Sequence, residues 1–187
     1  MREFERTAGS PFKPRGFAYT HFRIFRRKER KMSTSAKTGG QTKTAGAVKG
    51  GDGKFIFPLE QMGKIDAGVG YSTGVGPVVE GDRMQCALVT KARGTGSNPH
   101  HHPNEQWNFI VKGTLRVKVG DAPEQLCGPG TLLYFPANIV HYTIATEDGD
   151  VVFFAVKDLS HGISGIPVDP TKGSYAGLGQ KKVIGDE

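Results

Sequence analysis

The chain has 187 residues, 36% of them hydrophobic, and a formal net charge of +7. That length gives room for one domain with a real core, or a smaller domain with tails. The charge is uneven: residues 1–50 hold 13 Lys and Arg against 3 acidic residues, and residues 51–187 hold 12 against 15. Basic character therefore belongs to a tail, which removes the ground for a nucleic-acid partner.

Cys86 and Cys127 are too few for a disulfide framework and match no zinc-ribbon or redox spacing. They read as small buried residues of a reducing compartment. No apolar run approaches the roughly 18 residues a membrane span needs, and the N-terminus lacks the charged-then-apolar order of a secretory signal. The expectation is a cytoplasmic protein with no membrane partner.

Residues 1–31 are rich in Arg, Lys and Phe without a helical or strand period. They can be an Arg-rich targeting presequence, a basic interaction arm, or sequence upstream of a true start at Met32. The polar run Met32-Ser33-Thr34-Ser35 favours the last. The Ser, Thr, Gly, Ala and Lys that follow bury too little apolar surface to offset their ordering entropy. Residues 1–50 are thus expected to be a basic, disordered extension, 51–160 a β-barrel, and 161–187 an extended tail that packs loosely or wraps a neighbour.

From Lys54 onward, short runs rich in β-branched and aromatic residues alternate with Gly, Pro and Asp. "KFIFPL", "MQCALVTKAR", "QWNFIVKGTLRVKVG", "TLLYFP", "HYTIAT" and "DVVFFAVKD" each read as strand, with a single helical turn possible at Pro58–Gly63. In Thr114–Val119 the two-residue period puts Leu115, Val117 and Val119 on one face and Arg116 and Lys118 on the other. No segment sustains a helical period for three turns. The fold class is all-β, a sandwich or small barrel. "GVGYSTGVG" and "GGDGKF" fail the dinucleotide and P-loop patterns and read as turns.

The chemistry concentrates in "GSNPHHHPNEQWNFIVKG", Gly96–Gly113. On an extended chain His100 and His102 share a face and His101 points away, so two of three adjacent imidazoles can chelate one ion. Pro103 and Asn104 interrupt the ladder and could re-aim the chain so that Gln106 returns to that ion. Outside this stretch, the strand-rich body holds one more histidine, His141.

These residues resemble the two motifs of the cupin superfamily. The first is a Gly, then His-x-His, three residues, an acid or amide, six residues, and Gly. It reads here as His100-His101-His102, Gln106 and Gly113. The second is a Gly, five residues, Pro-x-Gly, two residues, and His. It reads as Gly130, Pro136-Ala137-Asn138 and His141. Two departures stand out. Asn138 replaces a glycine, and Asn tolerates left-handed backbone. Gln106 replaces the more usual Glu; taking Glu105 instead would flip every following side chain, so Glu105 is read as a solvated charge.

The resemblance implies a cupin-type double-stranded β-helix, a jelly-roll barrel with irregular N- and C-terminal extensions. It implies His100, His102, Gln106 and His141 as ligands of one divalent transition metal, among Mn, Fe, Co, Ni and Zn, with His101 a bystander. A neutral amide leaves the ion's +2 uncompensated, which strengthens Lewis acidity and suits an anionic or enolate-like substrate. The leading expectation is a lyase, isomerase or cyclase acting on a small oxygenated molecule. An iron-dependent dioxygenase and a non-catalytic metal- or small-molecule-binding cupin are the alternatives. Tyr134, Asn108, Tyr142 and Arg93 are candidates for the acid/base group. Members of this size commonly form homodimers; Phe55, Phe57, Trp107 and Phe109 could supply the apolar contact or fill the domain's own core.

Overall fold

The computed structural model describes residues 41–169. The expectations for residues 1–31 and for the end of the tail lie outside them. Thirteen strands follow in chain order: β1 (Val48–Lys49), β2 (Ile65–Asp66), β3 (Val75–Gly76), β4 (Val78–Glu80), β5 (Met84–Lys91), β6 (His100–His101) and β7 (Gln106–Lys112), then β8 (Leu115–Val119), β9 (Gln125–Cys127), β10 (Leu132–Phe135), β11 (His141–Ala145), β12 (Val151–Asp158) and β13 (Ile166–Pro167). The helical content among the described residues is one 3-10 turn, Leu59–Gln61.

Eight strands form one sheet, ordered β1-β4-β5-β12-β7-β10 with β2 and β3 attached through β5. The other five form a second sheet, β13-β6-β11-β8-β9. Neighbours such as β5 and β12 are distant in sequence yet paired over eight residues, from Val151 opposite Lys91 to Asp158 opposite Met84. This crossing connectivity, with two sheets facing across one core, is the expected jelly-roll double-stranded β-helix.

Alternation sets the core. Ala87 and Val89 of β5, Ile110 of β7, Phe135 of β10 and Phe153 and Ala155 of β12 point inward from the larger sheet. Leu115 and Val117 of β8 and Ala145 of β11 meet them from the smaller one. Gly113, at φ +77° and with Asp150 O 2.4 Å from where a Cβ would sit, turns the chain between β7 and β8. Any side chain there meets backbone as well as strain.

Three expected features come out differently. "KFIFPL" is not a strand: Phe55 and Ile56 are 78% and 91% exposed, and Gly51 and Lys54 close a tight turn before them. Pro58 has no N–H for a ladder, and the chain passes into the 3-10 turn. Second, residues 41–50 join the barrel. The Glu80 carboxylate accepts from the N–H groups of Lys43 and Thr44 at 2.7 and 2.8 Å, and β1 pairs parallel with β4. Third, the start of the tail packs on its own barrel: Ile163 is buried and β13 pairs with β6. The Thr44 hydroxyl accepts from Ile163 N at 2.9 Å, tying both ends of the domain together.

No helix among the described residues is long and apolar enough to cross a membrane. Cys86 and Cys127 are free and half-buried, and burial raises both thiol pKa values.

Candidate metal centre

One residue separates His100 from His102, so the extended chain turns both imidazoles inward and leaves His101 off their face. The antiparallel register of β6 and β11 sets His141 directly opposite His100. The rings converge, with centroids 4.3 Å apart for His100 and His141, 4.8 Å for His102 and His141, and 6.2 Å for His100 and His102. One ring nitrogen from each lies within 4.8 Å of the other two. Tetrahedral metal bonds of about 2.1 Å hold donors about 3.4 Å apart, so small side-chain rotations close this set on one ion.

Each ring is held by the backbone. Nδ1 of His100 lies 2.9 Å from Asn98 O, Nδ1 of His102 2.7 Å from Asn104 O, and Nδ1 of His141 2.8 Å from Ile139 O. A carbonyl can only accept, so each Nδ1 carries the proton and each Nε2 keeps its lone pair. Fixing the second nitrogen in this way orients a histidine for ligation. His102 Nε2 is buried and has no hydrogen-bond partner, an orphan that a cation would satisfy. The residues present fit a divalent ion.

Burial also keeps the triad in its ligating form. Desolvation holds His100 well below the usual imidazole value, helped by His141 and by Lys91 and Lys157. It lowers His102 to about 4 and His141 to about 3, with Lys157 adding to both. All three rings are neutral near pH 7.

Gln106 opens β7 on the inward face, with Asn108 and Ile110. Its Nε2 donates to Asn108 Oδ1 at 2.7 Å, which leaves Oε1 as the lone-pair end, and the Gln106 side chain acts on His102 against the effect of burial. Glu105 lies outside, its carboxylate accepting from the Tyr134 hydroxyl at 2.8 Å. Asn138 adopts the left-handed turn expected of it, φ 62°, and its N–H donates to His102 O at 2.8 Å. The second motif is thereby tied to the first.

A cavity with about 480 Å³ of space between its walls, mouth included, opens beside the histidines, lined among others by His100, His141, Gln106 and Asn108. Of the four acid/base candidates, Asn108 alone is on this wall. Tyr134 stacks on Trp107 on the outer face; Tyr142 donates to Glu124 outside; Arg93 is exposed. Period two explains the first two misses: each tyrosine is one residue out of step with an inward neighbour, Phe135 or His141.

A family model described as a cupin domain matches residues 87–157, a span that holds all three histidines and Gln106. The chain contains a cupin domain. No curated protein matches it. Among solved structures, it is similar to the polyketide cyclase RemF from Streptomyces resistomycificus at 15% identity, covering 62% of this chain and 85% of that one with a TM-score of 0.54. It is similar to KdgF from Halomonas sp. at 20% identity, covering 56% and 94% with a TM-score of 0.48. It also matches the DMSP lyase DddQ from Ruegeria pomeroyi DSS-3 at 23% identity, covering 51% and 47% with a TM-score of 0.45. The chain spans less than half of that lyase. At these identities the likeness is one of fold.

Three cavity residues of this cupin escaped the sequence reading. Lys91 ends β5, 3% exposed, and its Nζ donates to Thr143 O at 2.8 Å and Thr143 Oγ1 at 2.6 Å. Lys157, 4% exposed, donates to Ile163 O at 2.7 Å. Burial lowers both ammonium pKa values to about 7. Tyr71 packs at a tilt against His100, ring centroids 4.6 Å apart, its hydroxyl accepting from Gly165 N at 2.5 Å, and burial raises its pKa to about 12. The signal for the lysines was strand parity: Lys91 is in step with Ala87 and Val89, and Lys157 with Phe153 and Ala155. Tyr71 sits in a Gly-rich stretch with no period to reveal it.

Proposed function

We propose that this cupin is a metal-dependent enzyme acting on a small oxygenated molecule by Lewis-acid chemistry of the lyase, isomerase or cyclase type. His100, His102, His141 and Gln106 would hold one divalent first-row ion. The observation that carries the reading is the tautomer lock: three backbone carbonyls fix three Nδ1 protons and so leave Nε2 as the lone-pair nitrogen of each clustered ring. When bound, the ion supplies polarisation of a carbonyl, carboxylate or hydroxyl oxygen.

The remaining work falls to the chain. Asn108 accepts from Gln106 and so presents the amide oxygen to the imidazoles. Phe135, 4.5 Å from the His141 ring, closes the apolar side and keeps water from it. The Tyr71 hydroxyl holds its proton at neutral pH and can donate to a substrate oxygen; Lys91 and Lys157, with pKa values of about 7, present their amino groups to the same space. Four neutral donors leave the ion's charge uncompensated, which favours Lewis acidity over stabilising an oxidised metal.

The test is metal analysis of protein purified without a histidine tag, followed by substrate screening with and without oxygen. Stoichiometric metal and turnover that persists without oxygen are expected. Strict oxygen dependence would favour the dioxygenase alternative, and absence of bound metal would end the reading. Gln106→Glu should tighten metal binding at least tenfold while lowering turnover, because the added charge offsets the ion's own.

A further inference from the structure

Two buried lysines, Lys91 and Lys157, line the cavity wall. Among the described residues, no Asp or Glu lines it. The nearest buried carboxylate, Glu80, is spent on the N–H groups of Lys43 and Thr44. Asp158, next in sequence to Lys157, accepts from Glu105 N and Ser160 N; its charge raises the Lys157 pKa, but burial outweighs it. The ion pairs among the described residues are Lys49 with Asp82 and Arg116 with Glu124, so neither buried lysine is in one.

A buried amine without a full counter-charge sheds its proton readily, and an anion bound beside it restores the ammonium form. Packing does not ask for a charge at either position. The strand faces that carry Lys91 and Lys157 are otherwise built largely from Val, Ala and Phe. Lys91 reaches from β5 to β11, the strand of His141, where Thr143 accepts twice. Lys157 is opposite Gln106 in the register of β12 and β7. Its one hydrogen bond goes to Ile163 O, which leaves two of its three N–H donors for a ligand. Both ammonium groups act electrostatically on His100 and His141. They therefore share the space that a metal-bound substrate would enter.

We propose that the ligand of this cavity is a small dianionic acid, with one carboxylate on the ion that the three imidazoles would hold and the second at Lys157 Nζ, with Lys91 on the same wall. The inference rests on the metal-centre reading for the first carboxylate only. With a divalent ion in neutral donors, a monoanion answers half of the ion's charge and a neutral ligand none of it, while a second carboxylate at Lys157 Nζ would hold that amine in its ammonium form. The substrate class is thus a dicarboxylic acid, or an acid that passes through an enolate beside its carboxylate.

Calorimetry with malonate, acetate and malonamide tests this, first on chelator-stripped protein and then on protein reloaded with Mn. Malonate should bind the Mn-loaded protein at least tenfold more tightly than acetate and more tightly than it binds the stripped protein, and malonamide should not bind. Lys157→Met and Lys91→Met should each weaken malonate binding at least tenfold, and Lys157→Arg should keep most of it. Malonamide or acetate binding as tightly as malonate would overturn the inference, as would a Lys91→Met/Lys157→Met protein that binds malonate like the parent. The three-ligand comparison on the parent protein decides the matter if the methionine variants do not fold. Metal content, measured separately, isolates the other reading: malonate selectivity in a protein that takes up no metal sinks the metal centre and leaves the lysine site standing. Metal uptake without selectivity does the reverse.

Discussion

His141 lies directly opposite His100 across the β6–β11 ladder, and its ring is 4.3 Å from that of His100 although 40 positions separate them in sequence. One backbone pairing thus brings together the ends of two distant motifs. Removing either ring removes one of three converging Nε2 donors. His100→Ala and His141→Ala should each retain less than a tenth of the parent's metal by elemental analysis. His101→Ala should retain all of it, since His101 is off the shared face. Equal retention in all three variants would sink the metal centre.

The legible part of this molecule was whatever repeats with period two or sits at fixed spacing. β5, β7, β8, β10, β11 and β12 were readable because their residues bury one face; β1, β2, β3, β6 and β13 are two residues long, too short to show a period. His100, His102 and His141 were readable as a spaced set. Lys91 and Lys157 were not, because charge ordinarily marks a solvated face, and only the burial of the whole strand face shows that these two point in. Phe55 and Ile56 fail for the opposite reason: their apolar composition is that of a strand, but the backbone before them turns back on itself and leaves both exposed.

The buried ionisable groups give the metal-free protein a stability that climbs with pH. Lys91 and Lys157 have folded pKa values near 7 against an ordinary 10.5. Between those values the unfolded chain binds protons that the folded one has released, so stability rises as pH goes from about 7 toward 10. The histidines act in the same direction lower down: with folded values near 4 and 3 for His102 and His141, stability falls as pH drops below 6.5. Tyr71 reverses the trend above pH 10, where the unfolded phenol ionises first. Thermal melts of chelator-treated protein should show a midpoint several degrees higher at pH 9.5 than at pH 7. Lys157→Met should flatten that rise; an unchanged slope would refute the assignment.

Trp107, Phe109, Val111 and Leu132 are exposed on the outer face of the larger sheet, so none of them fills the domain's own core. Phe109 is opposite both Leu132 and Phe154, and Trp107 stacks on Tyr134, which makes the face continuous across β10, β7 and β12. We propose that a second copy of the chain covers it, since an apolar face of this extent is unusual on a monomer. Light scattering should give the mass of a dimer, and Phe109→Glu should halve it without loss of secondary structure. A monomeric parent protein would dispose of the idea.

Asn138 offers a test of how the second motif supports the first. Its φ of 62° is left-handed, a conformation Asn and Gly accept and β-branched residues resist. Its N–H donates to His102 O at 2.8 Å, so the turn positions the backbone of a proposed ligand. Asn138→Gly should leave stability within about 0.5 kcal/mol of the parent, glycine's backbone freedom offsetting the loss of strain. Asn138→Val should cost about 1–2 kcal/mol in urea denaturation. Because the distortion passes through the Asn138–His102 hydrogen bond, Asn138→Val should also weaken metal binding several-fold, read by competition with a chelator. A Val variant destabilised by that amount with unchanged metal affinity would show that the turn supports the barrel without positioning His102.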